Sequence, residues 1–275
     1  MTLALVLGGG GLAGIAWHTG LLAGLARAGA DPTGADLVVG TSAGSTVGAL
    51  VAEGRALEDL LAHQLDPATA GTELRSPVPM DDLIARLAPI YTAGLASAER
   101  RRRLGELAVA TDTVPESARR AVMLGRGVTP GWPGRALWIT VVDARTGDRR
   151  VLDRASGVDL VDAVAASSAV PGVWPPVTLD GTRYVDGGVW SLCNADLAAG
   201  YDRVLVLAPL ADPSVAREVD GLGPGVAVEV VTPDEASTAA FGTDVLDPAV
   251  REPSARAGLA QAAAEADRVR ALLAG

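Results

Sequence analysis

The pentapeptide Gly40-Thr41-Ser42-Ala43-Gly44 constrains this chain more than any other stretch. It follows the short apolar run Leu37-Val38-Val39 and leads into Ser45–Ala52, which reads as a helix. Strand, Gly-x-Ser-x-Gly, then helix is the setting in which the motif forms a nucleophile elbow, a turn so sharp that the residues flanking the serine must be small. The elbow lifts the serine hydroxyl to the sheet edge, close to the unpaired N–H groups at a helix start. In a chain with 33 glycines the motif alone is weak, because chance matches are common. A glycine-rich turn with Ser42 as a mere N-cap is the bland alternative. The flanking strand and helix favour Ser42 as a candidate nucleophile.

The order of elements around the elbow sets the fold class. Leu3 to Leu7 is a continuous apolar run, the pattern of a strand buried on both faces. It ends in Gly8-Gly9-Gly10-Gly11-Leu12-Ala13-Gly14, and Ile15 to Ala28 then carries apolar residues at helical spacing. This β-α-β-elbow-α order predicts an α/β fold with a mostly parallel sheet between helices. Further strands are expected at Leu137–Val142, Arg149–Leu152, Arg183–Val185, Val204–Leu207 and Val226–Val231, and helices at Glu53–Leu65 and Asp159–Ala169. The Ala-rich tail from Glu252 to Leu273 is expected as a long helix packed on one face of the sheet. From about 66 to 134 the pattern loosens into helical pieces at Met80–Ala88, Ala98–Ala110 and Pro115–Leu124, read as a cap within a single domain spanning residues 1–275.

Two readings compete for the glycine loop. Gly9-x-Gly11-x-x-Gly14 fits a dinucleotide fingerprint, with Asp31 or Asp36 as the ribose acid. It equally fits an oxyanion loop, in which successive N–H groups converge on a developing negative charge. Loop and elbow follow neighbouring strands and so emerge at the same carboxyl edge. A nucleotide site has no need of an exposed Ser42 there, so the oxyanion reading is preferred.

A serine nucleophile needs a base. The chain has two histidines, His18 and His63, and none beyond. The usual order of serine, acid, then histidine is therefore all but excluded. His18, on the helix behind the glycine loop, reads as a packed side chain, and His63 as a surface one. A carboxylate remains. Asp186 follows the short strand Arg183-Tyr184-Val185 and precedes Gly187-Gly188, which permit a tight turn and close backbone approach. By itself an Asp-Gly pair is an ordinary turn. Beside an elbow, an oxyanion loop and no available histidine, it is the candidate base.

Composition excludes other classes. The net charge is −10 with no large basic block, which argues against a nucleic-acid partner. Cys193 is the single cysteine, so no intrachain disulfide can form. No apolar run approaches the ~18 residues that span a bilayer, and Thr2–Leu7 reads as a strand and not a signal sequence. A cytoplasmic location is expected. Arg100-Arg101-Arg102-Arg103 reads first as a solvated helix face and second as a transient contact with anionic headgroups at a membrane surface.

With these blocks in place the chain resembles the patatin-like phospholipases. Gly9 to Gly14 is similar to that family's glycine-rich oxyanion motif, Gly40 to Gly44 to its Gly-x-Ser-x-Gly, and Asp186-Gly187-Gly188 to its Asp-Gly-Gly/Ala. Ala166–Val177 and Asp180–Val185 are similar to its stretches ahead of the catalytic Asp, and the likeness runs from residue 3 to about 208. The resemblance implies a three-layer α/β fold and a Ser–Asp dyad that hydrolyses acyl esters of lipids. It implies Ser42 as nucleophile, Asp186 as base, the N–H groups of Gly9, Gly10 and Gly11 as oxyanion donors, and Gly14, Gly40, Gly44, Gly187 and Gly188 as supports. No metal and no cofactor are called for. One position departs: the family's Arg or Lys before the last glycine of the first motif is Ala13 here. An acyltransferase or thioesterase using the same dyad is the alternative enzyme, and a nucleotide-binding α/β protein the rival at the level of fold.

Overall fold

Runs of Leu, Val and Ala too short for helices and apolar on both sides can be satisfied only inside a covered sheet. The computed structural model, which describes residues 1–71 and 73–275, builds that sheet from eight strands. The elements are β1 (Leu3–Leu7), α1 (Gly11–Arg27), β2 (Leu37–Gly40), α2 (Ala43–Ala52), α3 (Leu57–Leu65) and α4 (Pro67–Ala70). There follow α5 (Met80–Thr92), α6 (Ser97–Ala110), α7 (Glu116–Gly125), β3 (Ala136–Asp143), β4 (Arg149–Leu152) and α8 (Leu160–Ser167). The chain closes with β5 (Val177–Leu179), β6 (Thr182–Asp186), β7 (Arg203–Leu207), α9 (Ser214–Asp220), β8 (Ala227–Val231), α10 (Glu235–Phe241) and α11 (Arg251–Ala274).

The strand order is β5-β6-β3-β2-β1-β7-β8, with β4 also paired to β3. Strands β3, β2, β1, β7 and β8 are mutually parallel, and β4, β6 and β5 add antiparallel pairs. Alternate residues of β1 serve two cores. Leu5 and Leu7 pack with Trp17 and Leu21 of α1, Val47 of α2 and Val161 of α8, while Ala4 and Val6 pack with Ala195, Ala198 and Val215. The result is an α/β sandwich of three layers.

Several sequence expectations shift. The helix expected from Glu53 begins at Leu57, because Gly54 turns with φ +79° and separates it from α2. Strand β5 and helices α9 and α10 have no counterpart among the sequence expectations; three to seven residues carry too little periodicity to declare themselves. Helix α5 continues through Pro89 to Thr92. Its Met80, Leu83, Leu87 and Tyr91 share one face and line a common cavity, which outweighs one missing backbone bond. The tail helix α11 packs mainly along α1 and meets the sheet chiefly at β7 and β8. The Trp17 indole N–H donates to Gln261 Oε1 across that seam, at 3.0 Å.

Candidate active site

Strand register brings the two chemical residues together. Strand β2 runs parallel to β3 and ends with Gly40 opposite Ile139, whereas β6 runs antiparallel and ends with Asp186 opposite Val141. The two strands thus reach β3 from opposite directions and stop two residues apart. The turn after each carries its side chain to the same place.

At the first turn Ser42 has φ 52° and ψ −115°, a left-handed backbone that costs a non-glycine residue about 1–3 kcal/mol. Its surroundings hold it there. The Ser42 N–H donates to Ser167 Oγ at 3.0 Å, and its carbonyl accepts from Ser45 Oγ at 2.6 Å and Ser168 Oγ at 3.4 Å. Gly44 is obligatory in the turn, since a Cβ there would lie 1.9 Å from the Leu7 carbonyl oxygen. Gly40 similarly backs onto Ser45, and Gly14 lies against the Ala43 methyl group. Beneath the elbow, Thr41 Oγ1 and Thr140 Oγ1 share a hydrogen bond of 2.8 Å. Asn194 Nδ2 donates to Thr41 Oγ1 (3.1 Å) and to the Ser191 carbonyl (2.6 Å), and Arg149 donates to Asn194 Oδ1 (2.9 Å). Sequence reasoning missed this network, because its members lie up to 153 residues apart and, of them, Thr41 alone stands in a glycine motif.

At the second turn Asp186 is almost wholly buried, and the Gly188 N–H donates to its Oδ1 at 2.7 Å. Gly187 lets the chain pass Thr140, whose hydroxyl would stand 2.2 Å from a Cβ. Burial pushes the Asp186 carboxyl up from the usual 3.8 to about 6. The Gly188 N–H, the Ser42 hydroxyl facing it and the Arg119 guanidinium pull in the opposite direction. A carboxylate so tuned is ionised at neutral pH and is a stronger base than a solvated one.

The glycine loop corrects one expectation. The Gly9 N–H is spent on the Leu192 carbonyl at 2.7 Å, so it is not free to meet an oxyanion. The Gly10 and Gly11 N–H groups have no acceptor among the described residues, and both glycines line the cavity that holds Ser42 and Asp186. Gly11 opens α1 with φ +62°, which only glycine adopts without strain. The loop's fixed carbonyls serve the fold instead: Gly10 O accepts from Gly14 N–H and Gly8 O from Gly44 N–H. Ala13 is fully buried, with its N–H on the Val245 carbonyl.

The cavity has a volume of about 200 Å³ and is mostly apolar, with Met80, Leu83, Leu87 and Leu104 of the helical segment facing Leu192 and Leu246. The remaining sequence candidates lie elsewhere. His18 is fully buried with Nε2 3.3 Å from the Leu207 carbonyl, and burial lowers its imidazole to about 4. His63 sits half-buried on α3, lowered chiefly by burial. Asp36 accepts from the Leu3 N–H at the start of β1, and Asp31 caps the Thr33 N–H. The length of the strand separates Asp36 from the glycine loop, so neither Asp can serve a ribose there. The arginine run is largely engaged within the protein. Arg102 and Arg103 pair with Glu99, and Arg101 lies over the Trp190 ring at 4.0 Å while donating to the Gly147 carbonyl. Among the described residues no helix is long and apolar enough to cross a membrane.

Fold and site together define an α/β protein organised around a serine on a strand–helix elbow. A sequence model described as patatin-like phospholipase matches residues 5–199, and the chain belongs to that family. NTE family proteins of Mycobacterium tuberculosis and Mycobacterium bovis are 30% identical over 243 residues, which cover 86% of this chain and 57% of each relative. The chain therefore spans a little over half the length of these curated relatives. Among solved structures, VipD from Legionella pneumophila aligns with a TM-score of 0.48 at 14% identity, over 97% of this chain and 66% of VipD. The type III effector protein ExoU aligns at 0.41 and 16%, over 98% and 53%.

Proposed function

We propose that this chain is a serine-dependent lipid acyl hydrolase working through a Ser42–Asp186 dyad. The observation that carries the reading is the Ser42 hydroxyl, held on a strained elbow, facing a buried carboxylate at the wall of an apolar cavity. Family membership supports a lipid ester as substrate, and the cavity lining suits an acyl chain.

Asp186 accepts the Ser42 proton as Oγ attacks the ester carbonyl carbon. The charge that develops on the carbonyl oxygen is met by the free Gly10 and Gly11 N–H groups, aided by the positive end of α1. Collapse of the tetrahedral adduct breaks the ester C–O bond, and protonated Asp186 returns its proton to the departing alkoxide. Water then enters, loses a proton to Asp186 and attacks the acyl-serine. The acid leaves and Ser42 recovers its proton. Two steps of modest barrier replace one difficult step.

The test is covalent labelling with a fluorophosphonate ester, followed by peptide mass spectrometry, beside turnover of acyl esters. The expected result is a single adduct on Ser42, much slowed in Asp186→Asn, and loss of turnover in Ser42→Ala. Full turnover by Ser42→Ala would refute the assignment.

A further inference from the structure

Ser42 borders a second, smaller cavity of about 30 Å³, lined also by Gly11, Ala43, Ser168 and Arg119. That volume equals about two water-sized spheres, room for a carbonyl oxygen and little more. Gly11 opens α1 and Ala43 opens α2, and each brings to the wall an N–H without an acceptor among the described residues. Arg119 of α7 joins them. It is 3% exposed, and its Nε meets no acceptor among the described residues. Glu73, which acts on Arg119 only at a distance, is committed to Arg126 through bonds of 2.9 and 2.8 Å. The guanidinium lies 4.1 Å above the Trp174 ring, which offsets only part of the cost of burying the charge. Burial lowers it to about 9, so the charge persists at neutral pH. A buried cation without a partner, two free N–H groups and a void of one or two atoms suit a negative charge that exists only during the reaction.

We propose that the ester carbonyl oxygen turns into this small cavity as Ser42 attacks, and that Arg119 is a further catalytic residue, a charged donor to the oxyanion beside the N–H groups of Gly11 and Ala43. The inference rests on Ser42 being the nucleophile. As the bond from Ser42 Oγ to the carbonyl carbon forms, the hydroxyl proton passes to Asp186 and the carbonyl π pair settles on oxygen. One negative charge leaves Asp186 and one appears on the carbonyl oxygen, so the net charge of the site is unchanged. A fixed cation speeds that step only if it favours the place where charge arrives over the place it leaves. Arg119 stands on the receiving side: it lines the small cavity, whereas Asp186 lines the larger one. Acylation and deacylation both pass through such an oxyanion, so both gain. Two rivals predict otherwise. An Arg119 that acts only on Asp186 would move the acid limb of the pH profile and spare the plateau, and one that only packs against Trp174 would move neither.

The test measures kcat and KM for p-nitrophenyl butyrate against pH in wild type, Arg119→Gln and Arg119→Lys. On the plateau above the acid limb Arg119→Gln should lose about 10²-fold in kcat, the effect of one oxyanion donor, with KM nearly unchanged, and Arg119→Lys should recover part of the loss. A plateau kcat within about twofold of wild type in folded Arg119→Gln overturns the proposal, whether or not the acid limb moves. Inhibition by octaneboronic acid gives a readout apart from turnover. Its boron adds the Ser42 oxygen and becomes a tetrahedral anion, so Arg119→Gln should weaken it about tenfold or more. Octanol, neutral and of the same chain length, should inhibit both proteins alike. Equal effects of the substitution on the two inhibitors overturn the proposal. Should Arg119→Gln fail to fold, a crystal structure of the wild-type boronate adduct decides. A guanidinium nitrogen within about 3.2 Å of a boronate oxygen supports the assignment, and oxygens held by N–H groups alone overturn it. Folded wild type that neither hydrolyses the ester nor takes the fluorophosphonate label on Ser42 overturns the hydrolase reading, and with it this role for Arg119.

Discussion

Replacing Asp186 with Asn should make the protein more stable at neutral pH while disabling it. In the folded state burial raises this carboxyl from 3.8 to about 6. Its protonated form is therefore favoured by folding, and its ionised form is penalised. Below about pH 4 both folded and unfolded chains carry the proton and no penalty exists. Between about pH 4 and 6 the unfolded chain ionises first, so the wild type loses stability as the pH rises. Above the folded value the whole penalty is present, about 3 kcal/mol for a displacement from 3.8 to about 6. Asn keeps the size and can still accept the Gly188 N–H, yet carries no charge at any of these pH values. Urea unfolding at pH 8 should show Asp186→Asn more stable by up to about 3 kcal/mol, with the gap closing towards pH 4. Turnover should fall about 10²–10⁴-fold, as expected when a general base is lost. Equal stabilities at both pH values, or a gap that widens on acidification, would refute the claim that the carboxylate is held ionised at a cost.

Three further outcomes are expected. The kcat/KM profile of the wild type should have an acid limb with a midpoint near 6, activity falling as Asp186 takes up a proton; a limb centred near pH 4 in stopped assays of a soluble ester would exclude this buried base. Gly44→Ala would place a methyl group 1.9 Å from the Leu7 carbonyl, so the elbow must open, and thermal melting should show the variant unfolded or several degrees less stable. Glu73→Gln leaves the buried Arg126 charge without its partner and should cost about 3–5 kcal/mol in urea unfolding, where a surface pair would cost under about 1.

Whatever short-range sterics control is legible in the amino-acid sequence. An elbow needs small residues within two positions of its serine, and a turn after a strand needs glycine beside its carboxylate. Gly40–Gly44 and Asp186–Gly188 therefore stand out from their immediate neighbours alone. The buried parallel strands do so as well, since apolarity on both faces is a local record of being covered. The absence of histidines after His63 directs the search for a base towards the carboxylates, from which Asp186 is proposed. Features that depend on partners far along the chain emerge only from the packed molecule. Gly9 looks like its neighbours in sequence, and only the arrival of Leu192 from another loop takes its N–H out of play. Asn194 and Thr140 support the elbow across 153 and 99 residues, distances over which no spacing rule operates. Arg119 is one arginine among 23, and that its buried Nε has no acceptor among the described residues emerges only once α7 has packed against Trp174. Local backbone geometry is written in adjacent residues, whereas the satisfaction of a buried charge or N–H is known only when the rest of the chain has packed around it.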